Sequence, residues 1–575
     1  MNQCTLKSFT SFDGQAIAYR HWPASSDTAV ILFHRGHEHS GRIAHLVSEL
    51  GGPHAYFAWD ARGHGLSPTS EKYLPSAADS VRDIQCFVDH ITQSHGIPVS
   101  NMIMVAQSVA AVQVAAWLHD CAPQVRGAVL ASPAFEIKLY VPLARSFLNL
   151  WYRIRGDFEV KSYVKARHLT RDIARQRDYE NDPLITRPIS AKLLLELDDM
   201  AKRIVEDAEA IDVPVQLLIS GRDYVVRSQP QHRFFEKLGS AFKERRLFSG
   251  LLHDILGERD RTEVVNRVRI FIEQCFDVES KASDLTSAHL QGFTRREMDR
   301  LESPSTGWRR FFWACNRIGL RLGKYLSSGI AIGFRSGFDS GASLDYVYEN
   351  RPSGFTVLGR WIDRLYLNAI GWRGIRARKV MIEALTQTTA QLLRSKNMPI
   401  RILDIAAGGG RYLLDHAKEI MPDYLLLRDA CPHNVKQCQT RIQASGMADW
   451  ARAELGDAFD QDTVASSSPS PTLVIVSGLY ELFSDNEKVA KSLAGCATAV
   501  PSGGYLIYTG QPWHPQLEMI ARCLPNHRDG GPWVMRRRSQ LELDQLVEAA
   551  GFRKIKQHID DFGIFSVCLA VRVDA

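Results

Sequence analysis

The chain has 575 residues, too many for one hydrophobic core, so two or three domains are expected. Hydrophobic residues make up 45% and charged residues 23%, an ordinary globular balance. The net charge of +6 is modest for this length, and no nucleic-acid partner is expected from it. Ten cysteines lie scattered, with no C-x-x-C pair and no zinc spacing, which argues for reduced thiols and against a metal site. The N-terminus lacks a basic-then-apolar leader, and no apolar run reaches the roughly 18 residues of a spanning helix. A cytoplasmic protein is expected.

In chain order, apolar runs predict strands at 29–34, 55–60, 101–106, 127–132 and 215–220, with helix-like stretches between them. Near-continuous apolar strands imply a buried, largely parallel sheet. Residues 135–210 form a mostly helical insertion rich in aromatic and basic side chains. The polar stretch 277–287 suits a linker. A helix-prone, basic and aromatic region follows at 290–395. A second strand series starts near 400, with runs at 400–406, 424–430, 472–478 and 504–510. Two further runs at 553–559 and 565–573 suit an antiparallel edge. The expected fold class is α/β, with two doubly wound domains.

Serine acyl transfer needs a nucleophile, a base that takes its proton and an acid that orients the base. Ser108 in "MVAQSVAA" lies between a strand and a helix. Asp223 follows the strand at 215–220, and His253 lies in "LLHDILGERDR". The order Ser, Asp, His is that of α/β-hydrolases. Together with "FHRGHEHSGR", "WDARGHGLSP", "SGRDYVV" and "NDPL" at 181–184, these residues resemble the monoacylglycerol lipase/lysophospholipase family of α/β-hydrolases. The resemblance covers about residues 8–275. It implies Ser108 as nucleophile, His253 as base, Asp223 as orienting acid and an apolar cap over an acyl pocket. It also implies an oxyanion hole from the N–H groups of Gly36 and Val109.

Two departures stand out. The family's G-x-S-x-G reads Ala106-Gln107-Ser108-Val109-Ala110, and Arg35 occupies a glycine position beside the oxyanion wall. Alanine adds only a Cβ and need not take a positive φ. Arg35 adds bulk and charge.

In the second half, "ILDIAAGGGRYLL" is a strand, a glycine turn and a helix start, which brings a ligand close to backbone N–H groups. Asp404 before the glycines suits a cofactor with an ammonium group, such as S-adenosylmethionine. Asp429 past the next strand can accept both ribose hydroxyls, and Asp457 lies where an adenine amino group would be. This acid–glycine–acid–acid series resembles class I S-adenosylmethionine-dependent methyltransferases over about residues 375–575. The resemblance assigns Asp404, Gly408 and Gly410 to the cofactor turn, and Asp429 and Asp457 to ribose and adenine. Tyr480, Glu481 and His514 are candidates for the methyl-acceptor site.

The stretch 307–326 is an amphipathic helix, with Arg310, Arg317, Arg321 and Lys324 on one side and Trp308, Phe312, Cys315 and Leu322 on another. It suits either peripheral contact with an anionic membrane surface or packing on the methyltransferase core. The second reading is preferred. Residues 333–375 are expected to cover the acceptor site.

The expected organisation is a hydrolase domain over 1–276 with a cap at about 135–210, and a linker over 277–305. A helical lead-in or lid then spans 306–395, and a methyltransferase domain 396–575. As a whole the chain resembles bacterial bifunctional α/β-hydrolase/methyltransferase proteins, which implies a lipid ester (a monoacylglycerol or lysophospholipid) and phospholipid metabolism. The competing expectation is a methyltransferase whose hydrolase half only binds acyl ligands. Sequence leaves the oligomeric state open.

Overall fold

The apolar runs of the first half build a sheet of eight strands in the computed structural model, which describes residues 3–69, 75–140, 143–162, 164–277, 282–528 and 530–574. The strands are β1 (Thr5–Thr10), β2 (Ala16–Trp22), β3 (Ala29–Phe33), β4 (Ala55–Trp59), β5 (Met102–Gln107), β6 (Gly127–Ala131), β7 (Val215–Ser220) and β8 (Lys243–Phe248). Their order is β1-β2-β4-β3-β5-β6-β7-β8. β2 pairs antiparallel with β1 and β4, and the other neighbours are parallel.

β3 to β7 are the strands expected from sequence, and every residue in them is buried. β1 and β8 escape hydrophobic patterning because they are edges with mostly water-facing side chains. Helices Ala77–His95 and Val109–Cys121 pack on one face of the sheet. Helices His45–Leu50 and Thr262–Asp277 pack on the other. Between β6 and β7 the insertion forms helices Ala144–Arg155, Ile173–Asn181 and Ala191–Glu206 and a ribbon of Glu159–Lys161 with Pro188–Ser190.

The second half builds β9 (Arg401–Asp404), β10 (Tyr424–Asp429), β11 (Ala451–Leu455), β12 (Leu473–Val476), β13 (Tyr505–Gly510), β14 (Phe552–Ile559) and β15 (Ser566–Arg572). The order is β11-β10-β9-β12-β13-β15-β14, and β15 runs antiparallel to both its neighbours. The other pairs are parallel. β11 was not among the expected strands because its sequence, ARAEL, is polar and largely exposed.

The chain folds as two compact units, Met1–Ser283 and Asp284–Ala575. The helical lead-in therefore belongs to the second unit. Within the linker expected at 277–305, residues 278–281 lie outside the described residues, and Phe293–Glu302 is a helix. That helix is tied to its unit by Arg537 on Glu297 at 2.5 Å and by Arg536 donating to Thr294 Oγ1 at 2.8 Å. Among the described residues no helix is long and apolar enough to cross a membrane.

Candidate active sites

Ser108 sits where β5 turns into the helix Val109–Cys121, with φ 58° and ψ −118°. A non-glycine residue held there costs of order 1–3 kcal/mol, so its surroundings must hold it. They do: Ser108 N donates to Ala131 O at 2.9 Å, and Ser108 O accepts from Ala134 N at 3.1 Å. Neither Ala106 nor Ala110 has a positive φ, and both are buried. The strain falls on the serine alone, so alanine is tolerated at both flanks.

His253 lies 2.8 Å from Ser108 Oγ through Nε2 and 2.7 Å from Asp223 Oδ2 through Nδ1. Burial works to raise the Asp223 carboxyl. The facing His253, with its hydrogen bond, and the N–H groups of Val226 and Val225 outweigh it, so the carboxyl lies below its ordinary value. An ionised Asp223 only accepts, so Nδ1 carries the proton and Nε2 is left to accept from Ser108. All three side chains are buried.

The two residues expected to form the oxyanion hole, Gly36 and Val109, meet beside Ser108. A Cβ built on Gly36 would lie 3.5 Å from Val109 Cγ2. Val109 opens its helix, so its N–H has no intrahelical acceptor. Arg35 is buried, with its guanidinium bound to Glu38 by two hydrogen bonds of 2.8 and 2.6 Å and standing 3.7 Å from Asp254. Its charge is matched by carboxylates. The substitution thus contributes to a network that holds the histidine loop: Asp254, next to His253, also accepts from Gln107 at 3.0 Å and Arg175 at 3.2 Å. His34 accepts from Ala61 N at 2.9 Å through Nε2 and donates to Arg35 O at 2.8 Å through Nδ1. Burial and the neighbouring His64 push His34 down to about 4, so it remains neutral.

Ser108 and His253 open onto a cavity of about 1150 Å³ walled by cap side chains that include Leu143, Phe147, Leu150 and Leu193. The cap is pinned beside the oxyanion loop: His39 Nε2 donates to Asp182 Oδ2 at 2.9 Å, and His37 Nδ1 donates to Thr186 O at 2.7 Å. Asp182 belongs to the "NDPL" stretch.

In the second unit Asp404 ends β9, and Gly408 and Gly410 follow at φ 57° and 66°. A Cβ on Gly410 would lie 2.8 Å from Leu427 Cδ1 and 2.9 Å from Cys438 Sγ at a positive φ, so a side chain there would be both crowded and strained. Asp404 is fully buried, accepts from Ala406 N at 3.1 Å and from the Tyr412 hydroxyl, and has no cationic partner in those bonds. Burial, with the Asp429 charge behind it, pushes its carboxyl up to about 7.

Asp429 already accepts from Gly408 N at 2.8 Å, Cys431 N at 2.8 Å and Asn434 Nδ2 at 3.0 Å. About one of a carboxylate's four acceptor positions is left, so accepting both ribose hydroxyls would need one of these bonds to give way. Asp457 is exposed and caps Phe459 N at 2.9 Å. The segment around Gly341 covers the glycine turn, its Cα 3.9 Å from a Cβ built on Gly408.

A separate cavity of about 350 Å³, mostly apolar, is lined by Gly478, Glu481, Gln511, His514 and Arg378. Glu481 Oε1 accepts from Thr509 at 2.8 Å and lies 3.8 Å from Arg378, while Glu481 Oε2 and Gln511 Nε2 are buried without a protein partner. His514 Nδ1 accepts from Gln516 N at 3.0 Å. Burial pushes this imidazole down to about 4, so it is neutral and its proton sits on Nε2. It offers the cavity a donor through Nε2. Tyr480, the third candidate, turns away: it packs in the opposite-face core and donates to Ser492 Oγ at 3.0 Å.

Residues 268–572, more than half of the chain, match the family described as "Putative methyltransferase". The chain belongs to that family. Residues 24–260 match the family "Serine aminopeptidase, S33". The chain is thus a fusion of an α/β-hydrolase domain with a methyltransferase domain. The protein "Uncharacterized protein YnbC" of Escherichia coli (strain K12) is 50% identical over 98% of both chains. The hydrolase domain is related to "Phospholipase YtpA" of Bacillus subtilis (strain 168), 24% identical over 44% of this chain and 98% of that protein. It is also related to a monoacylglycerol lipase of Mycolicibacterium smegmatis, 22% identical over 46% of this chain and 95% of that one. The solved monoacylglycerol lipase of Paleococcus ferrophilus aligns over 45% of this chain and 99% of its own, at 24% identity and TM-score 0.41.

A methyltransferase domain implies a methyl donor. The residues fit a donor that carries a cation: Asp404 is a buried carboxyl with no cation among its hydrogen-bond partners, beside the glycine turn. Sequence reasoning missed Arg35, Gln107 and Arg175 as supports of the hydrolase histidine loop. In the methyltransferase cavity it missed Arg378 and Gln511. Arg35 and Gln107 lie inside the quoted motifs, but a motif does not show what their side chains touch; Arg175, Arg378 and Gln511 lie outside any motif.

Proposed function

We propose that the chain is a bifunctional enzyme: a serine hydrolase of lipid esters, such as a monoacylglycerol or lysophospholipid, fused to an S-adenosylmethionine-dependent methyltransferase. The observation that carries the first activity is the connected Ser108–His253–Asp223 relay opening on an apolar cavity of about 1150 Å³. His253 Nε2 takes the Ser108 proton as Oγ bonds to the ester carbonyl carbon. The Gly36 and Val109 N–H groups receive the oxyanion. His253 then gives the proton to the leaving alcohol, and water repeats the sequence on the acyl-serine.

Bound, S-adenosylmethionine supplies an electrophilic methyl group. Asp404 would face its ammonium end, with Gly408 and Gly410 beside it. Asp429 would take a ribose hydroxyl, and Asp457 the adenine end. Glu481 Oε2 would accept the hydrogen bond of an acceptor O–H or N–H, flanked by donors from Gln511 and His514. The mostly apolar cavity favours an acceptor with an apolar body.

A fluorophosphonate probe tests the hydrolase. We expect labelling of the wild type and none of Ser108→Ala; a folded wild type that stays unlabelled sinks this half of the proposal. Calorimetry with S-adenosylmethionine, followed by mass spectrometry of a lipid extract treated with the protein, tests the other half. Absence of binding overturns it.

A further inference from the structure

The helix Gly307–Gly323 has two apolar faces. One packs inward through Trp313 and Leu320, anchored by Arg309 and Trp313 on Glu518 and by Arg317 on the Arg522 carbonyl. The other carries Trp308, Phe311, Ile318 and Leu322 at helical spacing, and it faces water: Trp308 is 76% exposed and Phe311 74%. The helix Val357–Leu367 repeats the arrangement. Asp363 and Leu367 face inward, while Leu358 and Trp361 stand outward, Trp361 at 58% exposure. The two elements adjoin, since Gly359 packs against the Leu326 carbonyl just past the first helix.

Burying one face explains why these helices form. It leaves the second face, large and aromatic, unexplained. The charges that these two helices themselves turn to water are of one sign. Gly307–Gly323 contains four arginines and no acidic residue, and the only acid of Val357–Leu367, Asp363, is buried. Among the described residues Arg310, Arg321, Arg360 and Arg364 enter no salt bridge. Exposed Trp and Phe flanked by unpaired arginine are what a headgroup layer of negative charge takes up. A protein partner would need acidic groups matched to these arginines one by one; a bilayer needs no such register. The same two helices wall the methyltransferase cavity through Leu320, Ile362 and Leu365, and Leu365 is itself half-exposed.

We infer that the outward faces of these two helices dock the methyltransferase unit on an anionic lipid bilayer, with the mouth of its cavity at the bilayer surface. The docking stands on the surface alone. The bilayer as the source of the methyl acceptor rests on the proposed function.

The test is co-sedimentation of the full chain, without cofactor, with phosphatidylcholine vesicles that contain or lack phosphatidylglycerol. Binding is expected to the anionic vesicles and to weaken with salt. Replacing Arg310 and Arg321 by Gln should weaken it about fivefold per charge. Phe311→Ser with Trp361→Ser should weaken it by more than about tenfold. An unchanged melting profile and unchanged S-adenosylmethionine affinity show that the variants fold. The exposed cap helix Ala144–Arg155 supplies the control: if Phe147→Ser with Ile154→Ser alone abolishes binding, the inference is overturned. It is equally overturned if the wild type ignores anionic vesicles, or if sedimentation shows that the Phe311/Trp361 face joins two copies of the chain instead.

Discussion

Arg35 shows how a substitution that reads as an obstacle becomes a support. Its guanidinium is enclosed by Glu38 and Asp254. Removing one partner of such a buried set leaves the others charged and unpaired. Arg35→Ala should therefore destabilise the hydrolase unit by about 3–5 kcal/mol, read by urea denaturation. Arg35→Gly, the residue of the resembled motif, should do no better.

Asp404 carries a second prediction. Its folded value, about 7, lies above its ordinary 3.8. The folded state therefore holds the proton more tightly than the unfolded one. Stability from this group is complete below about 3.8 and is lost as pH rises through about 7. A cationic ligand needs the ionised form, so S-adenosylmethionine affinity should fall as pH drops below about 7, by up to about tenfold per pH unit. Calorimetry across pH checks this, and Asp404→Asn should flatten the profile.

At the scale of elements, the elbow and the cap divide the work. The turn from β5 into its helix strains Ser108 while both alanines stay relaxed. The cap is held to the core by His39–Asp182 and His37–Thr186. Asp182→Ala should raise KM for a long-chain ester several-fold and leave kcat within about twofold, since it loosens the acyl wall without touching the relay. Steady-state kinetics on a chain-length series distinguish this from a loss of catalysis. Elements with a buried apolar pattern, such as β3 to β7, were legible in the sequence. β1, β2, β8 and β11 were not: β1, β8 and β11 are edge strands whose polar side chains resemble loops, and the inner β2 mixes arginine and histidine with its apolar residues.

At the scale of the molecule, each unit has its own sheet and its own core, so fragments 1–283 and 284–575 should fold separately. The first should keep fluorophosphonate labelling, and the second S-adenosylmethionine binding. Loss of either on separation would show that the units depend on one another.

The sequence by itself determined the two α/β domains, the stations of Ser108, Asp223 and His253, and the glycine turn with its acids. These are written in local patterns: apolar runs, residues just past strands, and turns that exclude side chains. Only the tertiary structure decided where neighbouring side chains point. Tyr480 and Glu481 are adjacent in the chain, yet one enters the core of the opposite face and the other enters the cavity. Arg35, Gln107, Arg175 and Asp254 lie far apart in sequence and meet around one loop. Direction and burial are set by packing between distant segments, and no local pattern encodes them.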